Sequence, residues 1–203
     1  MSWVESGAIR PDHKTILGWI RPGTSVLDLG CGNGVLLELL ARERNARVQG
    51  IEVDEKSIYD CVARGLSVFH EDIDGGLTAF ADASFDYVIL NQSLQQIRRL
   101  DEVMREALRV GNRVVVGFPN FAQCRSRCQI FFRGKTPVTP SLPFAWHDSP
   151  NLHFLTISDF VLYCREKQIR IHRSSFLGRK RSVRIFPNFL AHIGIFLVSS
   201  GRS

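Results

Sequence analysis

The chain has 203 residues, 44% hydrophobic and 23% charged, which fits a single globular domain and excludes a disordered chain. Its net charge of +6 is unevenly spread: residues 1–100 carry a balance of −4 and the remainder +10. Ile193 to Val198 is far shorter than the ~20 residues needed to span a bilayer, and the first twenty residues carry Glu5, Arg10, Asp12 and Lys14, so neither membrane span nor signal peptide is expected. Five cysteines without disulfide-framework spacing predict a reducing, cytoplasmic setting.

In chain order, the pattern alternates short β-branched runs with amphipathic stretches, as strands alternating with helices do. Pro11–Ile20 reads as a helix with proline at an N-terminal position. Ser25–Leu29 reads as a buried strand, followed by a glycine turn and a helix from about Asn33 to Arg44. Ala46–Val53 predicts the second strand, Glu55–Arg64 a helix stopped by Gly65, and Ser67–His70 the third strand. Phe85–Leu90 and Arg113–Gly117 follow as strands around a Leu100–Val110 helix, whose Leu100, Val103, Met104, Ala107 and Leu108 share a face. Near the C-terminus Ser158 and Asp159 open a helix, and Ile169–Phe176 and Ile193–Val198 complete the strands. Residues 120–151, with four prolines, read as an irregular insertion within one domain spanning 1–203, and as a lid or docking surface.

The chemistry concentrates in VLDLGCGNG, Val26–Gly34. Glycines at 30, 32 and 34 let the chain turn sharply between strand and helix and bring backbone close to a ligand. A Walker phosphate loop needs Gly-Lys-Ser/Thr, whereas Val35 and Leu36 follow Gly34, and the nicotinamide spacing G-x-G-x-x-G/A also fails. Asp28 stands where a pyrophosphate would lie, so a nucleoside with a zwitterionic tail fits better. Glu52 ends the second strand, where a carboxylate can accept from both ribose hydroxyls. Asp72 follows the third strand, within reach of an adenine amino group, and Asn91 ends the fourth. Each of four strand ends thus delivers a polar group to the edge where open α/β sheets bind ligands.

These residues, with GIEVD, FDYVILNQSLQQIRRLDEVMREALRVGNRVVVGFPNF and RGKTPVTPSLPFAWHDSPNLHFLTISDF, resemble class I S-adenosylmethionine-dependent methyltransferases and, over Arg10–Phe176, the MetW family of methionine-biosynthesis proteins. The resemblance implies a Rossmann-like α/β fold: a seven-stranded mixed sheet of order 3-2-1-4-5-7-6, its last strand antiparallel, with helices on both faces. It implies S-adenosylmethionine or S-adenosylhomocysteine as cofactor. Asp28, Gly30, Cys31, Gly32 and Gly34 would then hold the methionine end, Glu52 with Val53 the ribose side, and Asp72 with Ile73 the adenine, with Asn91 beside the cleft. It also implies a homoserine O-acyltransferase partner.

Two other roles stay open on the sequence. An active methyltransferase on a small molecule or protein needs little beyond alignment of the acceptor. Gln92, Ser93, Gln95 and Gln96 can orient one, and His147 or His153 are candidate bases. The cations and aromatics of the insertion (Arg125, Arg127, Arg133, Lys135, Phe121, Phe131, Phe132, Trp146) suit a protein partner, or RNA as a weaker reading. Cys124, Cys128 and His147 fall short of a four-ligand zinc site.

Overall fold

The computed structural model describes residues 9–179 and 181–201. Lys180 lies outside the described residues. The elements are α1 (Pro11–Trp19), β1 (Ser25–Leu29), α2 (Val35–Arg44), β2 (Arg47–Glu52), α3 (Glu55–Ala63), β3 (Ser67–His70), β4 (Phe85–Asn91), α4 (Leu100–Val110), β5 (Gly111–Pro119), α5 (Cys124–Arg133), α6 (Ile157–Glu166), β6 (Ile169–Leu177), α7 (Pro187–Leu190) and β7 (Ile193–Ser200).

All seven strands form one sheet in the order β3-β2-β1-β4-β5-β7-β6. The first five strands are parallel, and β7 runs antiparallel between β5 and β6. Both faces are covered, as a parallel sheet with crossover helices requires. Strand alternation sorts the side chains: Leu27, Leu29, Val88, Leu90, Val114 and Val116 pack with α4 and α6 on one face. Val26, Tyr87, Ile89 and Val115 pack with Ile16 of α1 and Leu36 and Leu40 of α2 on the other. Phe118, Phe160 and Phe196 interlock where β5, α6 and β7 meet, with centroids 4.8–5.9 Å apart.

Helix boundaries follow local chemistry. Asp54 caps α3 by accepting from the Ser57 N–H, and Thr156 and Asp159 form a reciprocal capping box that starts α6. The insertion is less irregular than its prolines suggest. It contains α5, begun by the Gln123 side chain accepting from the Arg125 N–H and ended by Gly134 at φ +58°. The remainder of the insertion, 135–151, is turns and irregular chain. No helix of the described residues is long and apolar enough to cross a membrane.

Candidate functional site

The β1–α2 loop is a tight left-handed path: Gly30, Gly32 and Gly34 have φ of +77°, +54° and +76°. Two of these positions are crowded. A Cβ on Gly30 would stand 2.9 Å from Ser93 Cβ, and one on Gly34 would stand 2.6 Å from Leu66 Cδ1 and 2.7 Å from Cys61 Sγ. At Gly32 nothing lies within 4 Å of that point, so the crest of the loop borders open space. Gly34 also starts α2 without a side-chain cap, leaving first-turn N–H groups for a ligand.

Glu52, at the end of β2, is bound to this loop. Its Oε2 accepts from the Gly32 N–H at 2.7 Å, and its Oε1 accepts from the Val53 and Asp54 N–H groups at 2.9 and 3.0 Å. Three backbone donors take three of the roughly four lone-pair positions of a carboxylate. One remains for a ribose hydroxyl, and a second opens when the Gly32 N–H passes to a ligand. Val53, 62% exposed beside this carboxylate, offers an apolar platform for a flat base.

Asp28 is buried on β1, and its Oδ1 has no hydrogen-bond partner. Burial, reinforced by the Glu52 charge, raises its carboxyl to about 7. A buried acceptor with an empty side is costly. An ammonium group placed there would complete it. Asp72 follows β3, accepts from the Asp74 N–H at 2.9 Å and starts a 3-10 turn that includes Ile73. Ile73 Cδ1 lies 3.5 Å from the point where a Gly30 Cβ would be, so the β3 and β1 ends meet there. The structure thus brings Asp28, Gly30, Gly32, Glu52 and Ile73 close together at the ends of β1, β2 and β3, with Val53 and Asp72 next in chain to Glu52 and Ile73.

The methionine-biosynthesis protein MetW family profile matches residues 10–198. The chain is 37% identical over 187 residues to the bifunctional methionine biosynthesis protein MetXA/MetW of Rhodopirellula baltica, covering 87% of this chain and 30% of that protein. The chain belongs to the MetW family. It is also 31% identical over 112 residues to the ribosomal protein L11 methyltransferase of Burkholderia vietnamiensis, covering 52% of this chain and 37% of that one. The chain therefore spans about a third of the length of these curated relatives. Among solved structures, an S-adenosylmethionine-dependent methyltransferase from Archaeoglobus fulgidus superposes with a TM-score of 0.68 at 15% identity, covering 92% of this chain and 90% of that one. Another from Mesorhizobium loti gives 0.66 at 15% identity, covering 93% and 95%. These likenesses establish the class I methyltransferase fold.

Two of the residues expected in the site of this MetW-family chain have side chains engaged in structural contacts. Cys31 turns its side chain under the loop, packing with Leu37 and Cys61. A Cβ at Gly50 would stand 2.6 Å from the Cys31 sulfur, so the bare Gly50 makes room for it. The Cys31 N–H is bonded to the Ile51 carbonyl, and burial drives its thiol pKa upward. The Cys31 side chain is thus a packing group. Asn91 reaches away from the loop, donating from Nδ2 to Asp12 Oδ2 at 3.0 Å. Its Oδ1 occupies the space that a Gly117 side chain would fill.

Asn91 leads to a cluster that sequence reading assigned no role. Asp12 on α1 is almost fully buried and accepts a two-pronged contact from Arg10, at 3.1 and 2.6 Å. Burial opposes its charge, yet Arg10, His13 and Asn91 together hold its carboxyl below the usual range. Neighbouring His13 is buried with Nδ1 unpartnered, and burial lowers its pKa to about 4, which keeps it neutral. The signal was available in Arg10-Pro11-Asp12-His13: three polar residues at the start of a helix that must pack on a sheet.

The segment after β4 carries the far wall. Ser93 Oγ donates to the Leu29 carbonyl at 2.8 Å, tying it to β1. Gln92 Nε2 and Gln95 Oε1 are buried without partners. The Gln95 carbonyl accepts from the Leu152 and His153 N–H groups at 2.8 and 3.0 Å, and His153 Nε2 donates to the Ile97 carbonyl at 2.8 Å. His153 is therefore a tether for the insertion, with its ring committed. His147 is exposed beside Asp148.

Proposed function

We propose that this chain binds S-adenosylmethionine or its demethylated product S-adenosylhomocysteine over the glycine loop, and that it acts in methionine biosynthesis with a homoserine O-acyltransferase. The observation that carries the binding half is the unpartnered Oδ1 of buried Asp28, next to Glu52 and under a loop with open space above Gly32. Diphosphate ligands are disfavoured there, because they would bring more negative charge to two carboxylates.

The residues fit the cofactor in three parts. Asp28 would take the ammonium, and the uncapped start of α2 with the Gly32 N–H would face the carboxylate. Glu52 would accept from the ribose, while Val53 and Ile73 would sandwich the base, with Asp72 at its amino edge. When bound, S-adenosylmethionine supplies an electrophilic methyl group on a sulfonium. The biosynthetic half is supported by the relative in which MetXA and MetW are one polypeptide, since covalent linkage raises the effective concentration of modules that work together.

Active methyl transfer is the second reading, favoured by the buried and unpartnered Gln92 Nε2 and Gln95 Oε1. An acceptor substrate can complete both. Calorimetric titration with S-adenosylmethionine, alone and with the acyltransferase, tests the proposal. Binding lost in Gly32→Asp supports the cofactor site, and acyltransferase stimulation by the wild type supports the partner role. No heat of binding from wild-type protein would sink the first, and no stimulation the second. A methylated product would select the second reading.

A further inference from the structure

A groove lies on the opposite half of the sheet from the glycine loop, between α6 and α7, and encloses about 740 Å³. Its walls are largely apolar: Val161 and Leu162 from α6, and Phe186 and Phe189 from the α7 segment. These four side chains are exposed, Leu162 to 54% and Phe186 to 75%. A contiguous apolar surface of this kind on a folded chain marks an interaction site.

Phe186 strengthens that reading. It sits at φ +48°, a left-handed conformation that is uncommon for a bulky side chain, and it displays its ring to solvent. Strain of this kind is found at ligand clamps and similar sites. Here it is spent on holding an aromatic outward.

The groove has one sign of charge. Among the described residues, Arg127 from α5 and Arg165 from α6 are the charged ones in its lining, and no acid lines it. Arg127 also lies over the Phe189 ring, with its guanidinium carbon 5.8 Å from the centroid. Phe131 is four residues beyond Arg127 on α5, so it extends the same helix face as an 82% exposed aromatic. Exposed arginine and aromatic side chains together have the composition of interface hot spots. Phosphate-rich ligands would use the cations but leave the apolar walls unmatched.

We infer that the α6–α7 groove docks an acidic amphipathic segment of a protein partner, its apolar side chains between Leu162 and Phe186 and its carboxylates on Arg127 and Arg165. Resting on the proposed function, the partner is the homoserine O-acyltransferase. The position separates the two jobs of the chain: the cofactor crevice is at β1–β4, and the docking surface is beside β6 and β7.

The test measures affinity for the purified acyltransferase, by calorimetry or interferometry, for wild type, Leu162→Glu, Arg165→Glu and Tyr59→Glu. Leu162, Arg165 and Tyr59 are exposed, and Tyr59 is on α3 at the other end of the sheet. S-adenosylmethionine titration and thermal unfolding verify that each variant is folded. The expected result is at least ~10-fold weaker binding for Leu162→Glu and Arg165→Glu, no change for Tyr59→Glu, and wild-type affinity that falls as salt rises. Wild-type affinity in both groove variants would overturn the groove while leaving the partner role intact. No complex with wild-type chain would overturn the partner role and the inference with it. A wild-type homodimer that Leu162→Glu dissociates would assign the groove to a second copy and overturn it as well.

Discussion

Replacing Asp28 with asparagine should make the free protein more stable and the ligand-bound protein harder to form. The carboxyl is buried, has one oxygen unpartnered and is raised from 3.8 to about 7. A folded-state value above the unfolded one means that the folded protein holds an extra proton between those two pH values. Stability from this group therefore falls as pH rises from about 4 to about 7, and stays low above that. At 1.36 kcal/mol per pKa unit the full loss is about 4 kcal/mol. Asparagine removes the charge but keeps a buried polar group, so a gain of about 2–3 kcal/mol at pH 8 is expected, near 5–10 °C in Tm for a chain of this size.

Binding carries the opposite sign. The ammonium of the ligand needs the ionised carboxylate, so wild-type affinity should fall about 25-fold from about pH 7.5 to about pH 5.5, and proton release should accompany binding at the acid end. Asp28→Asn should bind far more weakly and lose this pH slope. Calorimetry in two buffers of different ionisation enthalpy, with differential scanning fluorimetry on the free proteins, reads both effects. A destabilised Asp28→Asn variant, or wild-type affinity that is flat over this range, would refute the reasoning.

Three further outcomes are expected. Gly34→Ala should cost several kcal/mol, because its Cβ would meet Leu66 and Cys61 at a φ of +76°, whereas Gly32→Ala should cost only about 1–2 kcal/mol and weaken ligand binding; denaturant unfolding and titration separate them. Glu52→Ala should lose about 1–3 kcal/mol by stranding the Gly32, Val53 and Asp54 N–H groups, together with ligand binding, and Glu52→Gln should recover part of the stability without full affinity. Thr156→Ala should remove the capping box of α6 and cost about 1 kcal/mol in chemical denaturation, with cofactor affinity unchanged.

Much of the architecture was legible because it is written in local terms. Leu100–Val110 was found to the residue, since its apolar face repeats at helical spacing and a strand follows at once. Ser67–His70 was likewise complete. Starts and stops were blurred where the backbone decides: the helix expected from Asn33 begins at Val35, because Gly34 is left-handed and ends the loop. Helix α5 was missed because Ile130, Phe131 and Phe132 put exposed apolar residues around it and blunt its periodicity. Its Gln123 cap and Gly134 stop were the usable signals.

In the site, the glycine loop is what the sequence shows most directly, since Gly30, Gly32 and Gly34 all take the positive φ that a tight turn between strand and helix demands. The direction of the Cys31 side chain was not legible, because sequence does not reveal which side of a tight turn a side chain takes. The Arg10, Asp12 and His13 cluster left a local signal in its polar residues at a helix start, but its link to the sheet, the Asp12–Asn91 hydrogen bond, joins positions 79 residues apart, which no local pattern carries.

The three hydrogen bonds from Leu152 and His153 to Gln95 and Ile97 fasten the chain directly after the insertion to the segment that follows β4. Ser93, two residues before Gln95, is bonded in turn to the Leu29 carbonyl at the root of the glycine turn. Chain and hydrogen bonds thus run without a break from the segment just after the insertion, through Gln95 and Ser93, to the end of β1.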